Sequence, residues 1–254
     1  LWAQAWSEPS SGSDLASVRA RAERVDGGWR LYGQKTWCTR AAFCDACFGL
    51  FRSDPESERH QGLTYLMAPL QGEGVEVRGF GRLDGDEGFA EIFFDGLFVS
   101  DDAVIGEVGS GWSVAMATTS SERGLTLRSP GRFIAAVERL EALYDAHGGD
   151  ALIDAQVLNA ALKAESYRLF TDASVTAMSE GQPLGARASL MKVFWSELDI
   201  ELHETALAIL GPDAALESVW TKSYQFSLGG PIYAGTNEIQ RNIIAERVLG
   251  LPRR

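Results

Sequence analysis

Cysteine, histidine and basic residues are all scarce in this 254-residue sequence. The three cysteines, Cys38, Cys44 and Cys47, are too few for a disulfide framework and point to a reducing, cytoplasmic setting. Cys44-x-x-Cys47 has the spacing of a metal or redox pair, but no second pair follows it. The histidines, His60, His147 and His203, stand singly. The cysteines therefore read as small buried thiols on a strand, and no metal site is expected. Lys and Arg total 23 against 35 Asp and Glu, a formal net charge of −12 with pI near 4.8. Such a surface repels phosphate, which excludes nonspecific binding to nucleic acid or anionic membranes. No run approaches the roughly 18 uncharged apolar residues of a membrane span. The start, Leu1-Trp2-Ala3-Gln4-Ala5-Trp6, has no initiator Met, basic stretch or apolar leader, so the chain reads as the middle of a longer protein.

Composition changes near residue 107. Residues 1–107 hold 8 of the 12 Phe and 11 Ala, whereas 108–254 hold 21 Ala. Aromatic-rich and then alanine-rich is the pattern of a β domain over 1–107 followed by a helical domain over 108–254. In the first part, Val18, Ala20 and Ala22 alternate with Arg19, Arg21 and Glu23. Asp26-Gly27-Gly28 then supplies a hairpin turn into Trp29–Tyr32. Further strands are expected at Phe48–Phe51, Leu63–Ala68, Val75–Phe80 and Phe89–Val99, an antiparallel barrel or sandwich.

In the second part, Leu158, Leu162, Leu169 and Ala173 form a stripe at helical spacing, with Asp150 or Asp154 as cap. Helices are also expected from about Ala186 to Leu210, over Ala214–Leu228, and after Thr236. Pro130-Gly131 lies inside an otherwise continuous helical pattern and predicts a kink or break. Asp84-Gly85-Asp86-Glu87-Gly88 reads as a turn rather than a calcium loop. Gly106–Gly111 reads as the entry to the helices, because no βαβ unit surrounds it.

Two segments carry the chemistry. One is Ser7-Glu8-Pro9-Ser10-Ser11-Gly12-Ser13-Asp14 with Gly33-Gln34-Lys35-Thr36-Trp37-Cys38-Thr39 downstream; the other is Ile232-Tyr233-Ala234-Gly235-Thr236-Asn237-Glu238-Ile239-Gln240-Arg241. In this order they resemble the acyl-CoA dehydrogenase family of flavoenzymes, and the resemblance covers the whole chain. It implies an α+β fold: an antiparallel β-barrel middle domain followed by a C-terminal up-and-down four-helix bundle. The family's N-terminal helical domain is expected to be absent from this chain.

The resemblance implies FAD as cofactor and an acyl-CoA thioester as substrate. Trp37 would cover one flavin face and Thr39 would reach the ring edge. Ser7 would bond the pyrimidine end, and Ser13 would lie near the cofactor phosphate and the CoA pantetheine. Gln4, Thr236 and Glu238 complete the expected cofactor contacts; Arg123, Tyr233, Ala234 and Gly235, with Ser13, are expected on the substrate side. Removing a proton α to a thioester needs a base, while a hydride leaves the β-carbon for the flavin. Many members place that base where this chain has Ala234, which cannot take a proton. A minority arrangement places it on the first bundle helix, here Ser120-Ser121-Glu122-Arg123-Gly124, so Glu122 is the expected base.

The sequence departs from the family at Tyr144–Gln156, where an R-x-x-F-G motif lends an arginine to a neighbouring subunit's FAD. This stretch has neither arginine nor phenylalanine. The adenosine-binding Q-I-L-G-G turn is altered to Ala208-Ile209-Leu210-Gly211-Pro212. A neutral or acidic residue does not replace a guanidinium beside a diphosphate. The expectation is therefore an α2β2 heterotetramer with a homologous subunit, with a homotetramer as the simpler alternative. The expected electron acceptor is an electron-transfer flavoprotein, and a sterol-derived acyl-CoA is the expected substrate. Two other readings stay open: a non-catalytic structural subunit, and an oxidase that passes electrons to oxygen.

Overall fold

β-branched and aromatic residues at period two build seven strands in the first half of the chain. The computed structural model describes residues 1–122 and 128–253, except the side chains of 119–122. The strands are β1 (Trp2–Ala5), β2 (Arg21–Val25), β3 (Gly28–Thr39), β4 (Ala46–Arg52), β5 (Leu63–Pro69), β6 (Val75–Phe80) and β7 (Phe89–Ser100). They form one curled sheet in the order β1-β4-β2-β3-β7-β6, with β5 on the other edge of β4. Most pairs are antiparallel, as expected. β1, which the sequence pattern does not single out, instead runs parallel to β4, with Ala3 opposite Cys47 and Gln4 opposite Phe48. Four residues are too few for alternation to stand out.

The alternation at 18–23 holds, with Val18, Ala20 and Ala22 buried. The hairpin at 26–28 joins β2 to β3 with Val25 opposite Gly28. The core on one face of the sheet is built from Trp29, Leu31, Phe51, Leu66, Ile92, Phe94 and Val99. On the other face Val18, Leu50, Leu63 and Tyr65 pack with Ala115 of the first helix, α1 (Gly111–Glu122). Cys38 and Cys47 are buried, and burial pushes both thiols up to about 12. At the Asp84 turn, Arg82 bonds the carboxylates of both Asp84 and Asp86.

The chain divides into two compact units, 1–119 and 120–254. The second unit holds α2 (Pro130–His147), α3 (Ala151–Ser179), α4 (Arg187–Leu210), α5 (Val219–Ser227) and α6 (Asn237–Ile243), which continues as a wider turn over Ile244–Val248. Pro130 opens α2, where its missing N–H costs nothing. The three long helices meet around Phe133, Leu140, Ala160, Ala164, Tyr167, Trp195, Leu198 and Leu202.

The leucine stripe does signal a helix, but it does not face this core: Leu158, Leu162 and Leu169 are each more than half exposed. Ala160, Ala164 and Tyr167 occupy the inner face of α3, where the two alanines let the helices approach closely and the Tyr167 ring packs against Phe133 and Phe194. The α3 cap is Asp150, whose carboxylate accepts from the N–H groups of Leu152 and Ile153 at 2.9 and 3.0 Å. Asp150→Ala is expected to cost about 1 kcal/mol of stability, measured by chemical denaturation.

Candidate functional site

The two motifs fall in different units, so each surface is built separately. In the β unit the Ser7–Asp14 loop lies against β3. Thr36 N–H donates to the Ser7 carbonyl at 2.9 Å, and Glu8 and Ser11 exchange two backbone bonds that tighten the loop. Glu8 turns inward, where Lys35 Nζ donates to its Oε1 at 2.8 Å and the N–H groups of Ala20 and Arg19 donate to its two oxygens at 2.8 and 2.7 Å. Lys35 also donates to the carbonyls of Leu50 and Trp6 at 2.7 and 3.1 Å. The two side chains are 0% and 5% exposed. Burial pulls the Lys35 ammonium below the usual lysine range, and the Glu8 carboxylate opposes that shift.

Two residues further on, the ladder between β3 and β7 slips. Lys35 pairs with Ile92, but Cys38 pairs with Ala90, so β3 carries one residue more than its partner. Trp37 sits in this bulge with φ +59°, a left-handed conformation that an indole side chain adopts only under constraint. Its indole is turned outward, 62% exposed, and braced edge-on by Phe80 and Phe89 at 5.2 and 5.6 Å between ring centroids. Thr39 is exposed as the last residue of β3, opposite Phe89. Ser7 and Gln4 are half-buried and Ser13 is exposed on the loop. The sheet and loop thus bring Ser7, Trp37 and Thr39 onto one tied segment. A groove of about 770 Å³ lined by Arg24, Trp29, Asp101, Asp102, Val104 and Val108 includes none of the motif residues.

In the helical unit the second motif forms the turn between α5 and α6. Ala234 has φ +56° and Gly235 φ +81°, so a non-glycine residue is again held left-handed. The buried Gln240 amide donates to the carbonyls of Ala234 and Gly235 at 3.0 and 3.3 Å, and Asn237 N–H donates to the Pro231 carbonyl at 2.8 Å. The half-buried Tyr233 hydroxyl accepts from Arg128 at 2.5 Å, and burial raises its pKa. The Arg128 guanidinium also lies 5.3 to 5.8 Å from the rings of Trp195, Tyr233 and Phe226. Thr236 caps α6, its hydroxyl accepting from Ile239 N–H at 3.3 Å. Glu238 is exposed in the first turn, where its own N–H and the Thr236 hydroxyl hold its carboxyl below the usual range. Arg123 and the Glu122 side chain lie outside the described residues; Glu122 is the last residue of α1.

Beneath the turn lies Lys192 of α4, which is 2% exposed. It donates to Asn237 Oδ1 at 2.8 Å, and Ser196 donates to the same oxygen at 3.1 Å. Sequence reasoning passes over Lys192, Arg128 and the Lys35–Glu8 pair. The available signal for Lys35 is parity: it shares the inward side of β3 with Trp29 and Leu31, where a lysine requires a buried acceptor.

The chain thus joins a curled β sheet that turns one braced indole outward to a helical unit with a strained Ala-Gly-Thr turn. The family model for the acyl-CoA dehydrogenase middle domain matches residues 3–97, and that for the acyl-CoA dehydrogenase C-terminal domain matches residues 109–249. The chain belongs to the acyl-CoA dehydrogenase family of oxidoreductases. It is 38% identical over 264 residues to acyl-CoA dehydrogenase IpdE1 of Mycobacterium tuberculosis, covering all of this chain and 67% of that protein. Among solved structures it is similar to the Tcur3481-Tcur3483 steroid ACAD, with TM-score 0.92, 25% identity and coverage of 100% of this chain and 69% of that one. It is also similar to the ChsE4-ChsE5 complex from Mycobacterium tuberculosis, with TM-score 0.88, 25% identity and coverage of 100% and 70%.

The Lys192 environment sets a pH dependence. Burial lowers its pKa to about 8; Glu238 opposes this, and Arg241 adds to it. Below pH 8 the folded and unfolded chains both carry the charge, and the fold bears the whole burial cost. Between about 8 and the ordinary lysine value near 10.4 the folded chain sheds the proton first, so the cost is relieved as pH rises. The stability of the native chain relative to Lys192→Met is therefore expected to increase from pH 7.5 to pH 10, read by urea denaturation of both proteins at each pH.

Proposed function

We propose that this chain is the FAD-bearing subunit of an acyl-CoA dehydrogenase that introduces an α,β double bond into a CoA thioester. The observation that carries this reading is the indole of Trp37, turned outward from a strained bulge and braced by Phe80 and Phe89. A planar isoalloxazine needs an apolar face rimmed by polar groups. Trp37 supplies the face, Thr39 a hydroxyl at the strand end, and Ser7 a second hydroxyl on the loop tied to Thr36. Gln4, Ser13, Thr236 and Glu238 are assigned to the rest of the cofactor. When bound, FAD supplies the acceptor for the hydride leaving the substrate β-carbon.

The chain's own residues perform the other half of the reaction. Glu122 takes the α-proton onto its carboxylate as the α-C–H bond breaks, and that electron pair becomes the new double bond while the hydride departs from the β-carbon. A carboxylate desolvated beside an acyl chain is a stronger base than one in water. The Ala234 backbone N–H polarises the thioester oxygen, a role that survives the lack of an acidic side chain at that position. The Gln240 amide fixes the turn on the far side of that N–H, through the carbonyls of Ala234 and Gly235. Tyr233, Gly235, Ser13 and Arg123 are assigned to the acyl-CoA.

The names of the two structural relatives, a steroid enzyme and a two-component complex, support a sterol-derived acyl-CoA and a homologous partner subunit. The lack of an arginine in 144–156, which leaves this chain without that cation to lend to a neighbour's cofactor, supports the partner subunit as well. Electron-transfer flavoprotein is the acceptor this reading implies. Among the described residues no helix is long and apolar enough to cross a membrane; the three free cysteines support a cytoplasmic location.

Flavin stoichiometry tests the assembly. The full-length protein purified alone is expected to hold no FAD, and the protein co-purified with a homologous partner one FAD per heterodimer. One FAD per chain in the isolated protein makes it a homotetramer. None in either case leaves a structural subunit, the reading that Ala234 and the missing arginine favour. In the loaded assembly Glu122→Gln is expected to lower kcat about a thousandfold at unchanged flavin content. Near-native desaturation by that variant would remove Glu122 from the role of base.

A further inference from the structure

We infer that Lys35 and Glu8 are the positioning pair of the cofactor platform: their buried ion pair selects which residue of β3 is turned out of the bulge and locks the Ser7 loop to it. The inference rests on the FAD reading above.

A one-residue bulge can shift along a strand, and each position it moves turns the residue it passes to the opposite face. Lys35 removes that freedom. Its ammonium has three protons and three acceptors in place, Glu8 Oε1, Leu50 O and Trp6 O. Its stem lies in the core, with Nζ 5.2 Å from the centre of the Phe51 ring. Any slip of β3 between Lys35 and Cys38 would carry this ammonium out of its cage and set it against apolar neighbours. The caged Lys35 on one side and the buried Cys38, paired with Ala90, on the other confine the bulge to Thr36 and Trp37, and Trp37 takes the left-handed, outward place.

The other half of the pair does the same for the loop. Glu8 is bonded to the segment that leads into β2 through the N–H groups of Ala20 and Arg19, so the loop cannot lift without breaking both contacts. The residues beside the pair are themselves joined, Thr36 N–H to Ser7 O. One ion pair thus sets the spacing between the Ser7 hydroxyl, the Trp37 face and the Thr39 hydroxyl. Neither Lys35 nor Glu8 needs to touch the cofactor.

A role in stability alone predicts something different, and a charge-free double variant separates the two. Lys35→Met alone strands a buried carboxylate and lowers Tm. Adding Glu8→Gln removes both charges and is expected to return Tm most of the way to that of the native protein. The test uses the full-length protein in whichever assembly loads flavin. FAD affinity is measured by fluorescence titration, and the visible circular dichroism of the bound flavin is recorded at saturation. The double variant is expected to bind FAD at least 30-fold more weakly and to show an altered flavin dichroism, although its Tm has recovered. Native affinity and dichroism in that variant would overturn the inference.

Glu8→Gln alone, which keeps the side chain's shape, provides the second reading if the double variant does not fold. It is expected to weaken FAD binding about tenfold with a changed dichroism, and a native spectrum would overturn the inference. If the native assembly itself binds no FAD, the FAD reading fails and the positioning role falls with it. FAD bound equally by native and variant proteins leaves the FAD reading intact and rejects the pair alone.

Discussion

The β unit depends on a lysine and a glutamate that water does not reach. Two charges placed in a sheet interior are costly, and attraction between them offsets the cost only when the remaining protons and lone pairs are satisfied. Here they are: the ammonium finds two carbonyls besides the carboxylate, and the carboxylate finds two backbone N–H groups besides the ammonium. Hydrophobic replacements of similar volume would hold a sheet together as well or better. What such replacements do not supply is direction. Each of the five bonds runs to a particular atom of a particular segment, and together they bind loop 7–14, β3, β4 and the residues leading into β2 into one arrangement.

The same pattern recurs in the helical unit with different chemistry. Ala234 is held left-handed by the Gln240 amide, and the helix that follows is fastened by Asn237 to Lys192 and Ser196. In both units a residue with an unfavourable backbone angle sits beside a buried polar group that over-determines it. Left-handed alanine or tryptophan costs about 1–2 kcal/mol, so such residues persist only where surrounding bonds exceed that cost. Four non-glycine residues among those described have positive φ, and two of them, Trp37 and Ala234, are the centres of the two motifs. Local rules of sequence and conformation fail at the sites where the chemistry is proposed, as expected when function and not packing sets the backbone.

That coincidence explains what was legible in the sequence. Strands such as Leu63–Pro69 and Phe89–Ser100, and helices such as Arg187–Leu210, follow from period and punctuation, because burial of one face is all that they require. The motif residues were legible as a set through resemblance, and the β unit does tie Ser7, Trp37 and Thr39 together. The buried partners were not. Glu8 and Lys35 are 27 residues apart and meet only where the loop crosses β3, and Lys192 lies 45 residues from Asn237. Nothing in a local window reports a bond that exists only once the chain has folded. The leucine stripe of α3 failed for a related reason: periodicity locates an apolar face but does not say which protein surface it meets.

The exposed face of α3 then bears on the proposed assembly. The inner side of that helix is made of Ala160, Ala164 and Tyr167, so the core would lose little if Leu158, Leu162 and Leu169 were polar. Large leucines kept on the outer side are a liability in a lone chain, since they favour association with any apolar surface. They are explained if the face is covered in the working protein. The stretch that lacks the arginine, Tyr144–Gln156, includes the first residues of this same helix. A chain that had only lost its cofactor-lending residue would be a defective homo-oligomer. One that lacks it and still presents an apolar helix fits the proposed pairing with a homologous subunit, from which the missing cation would come.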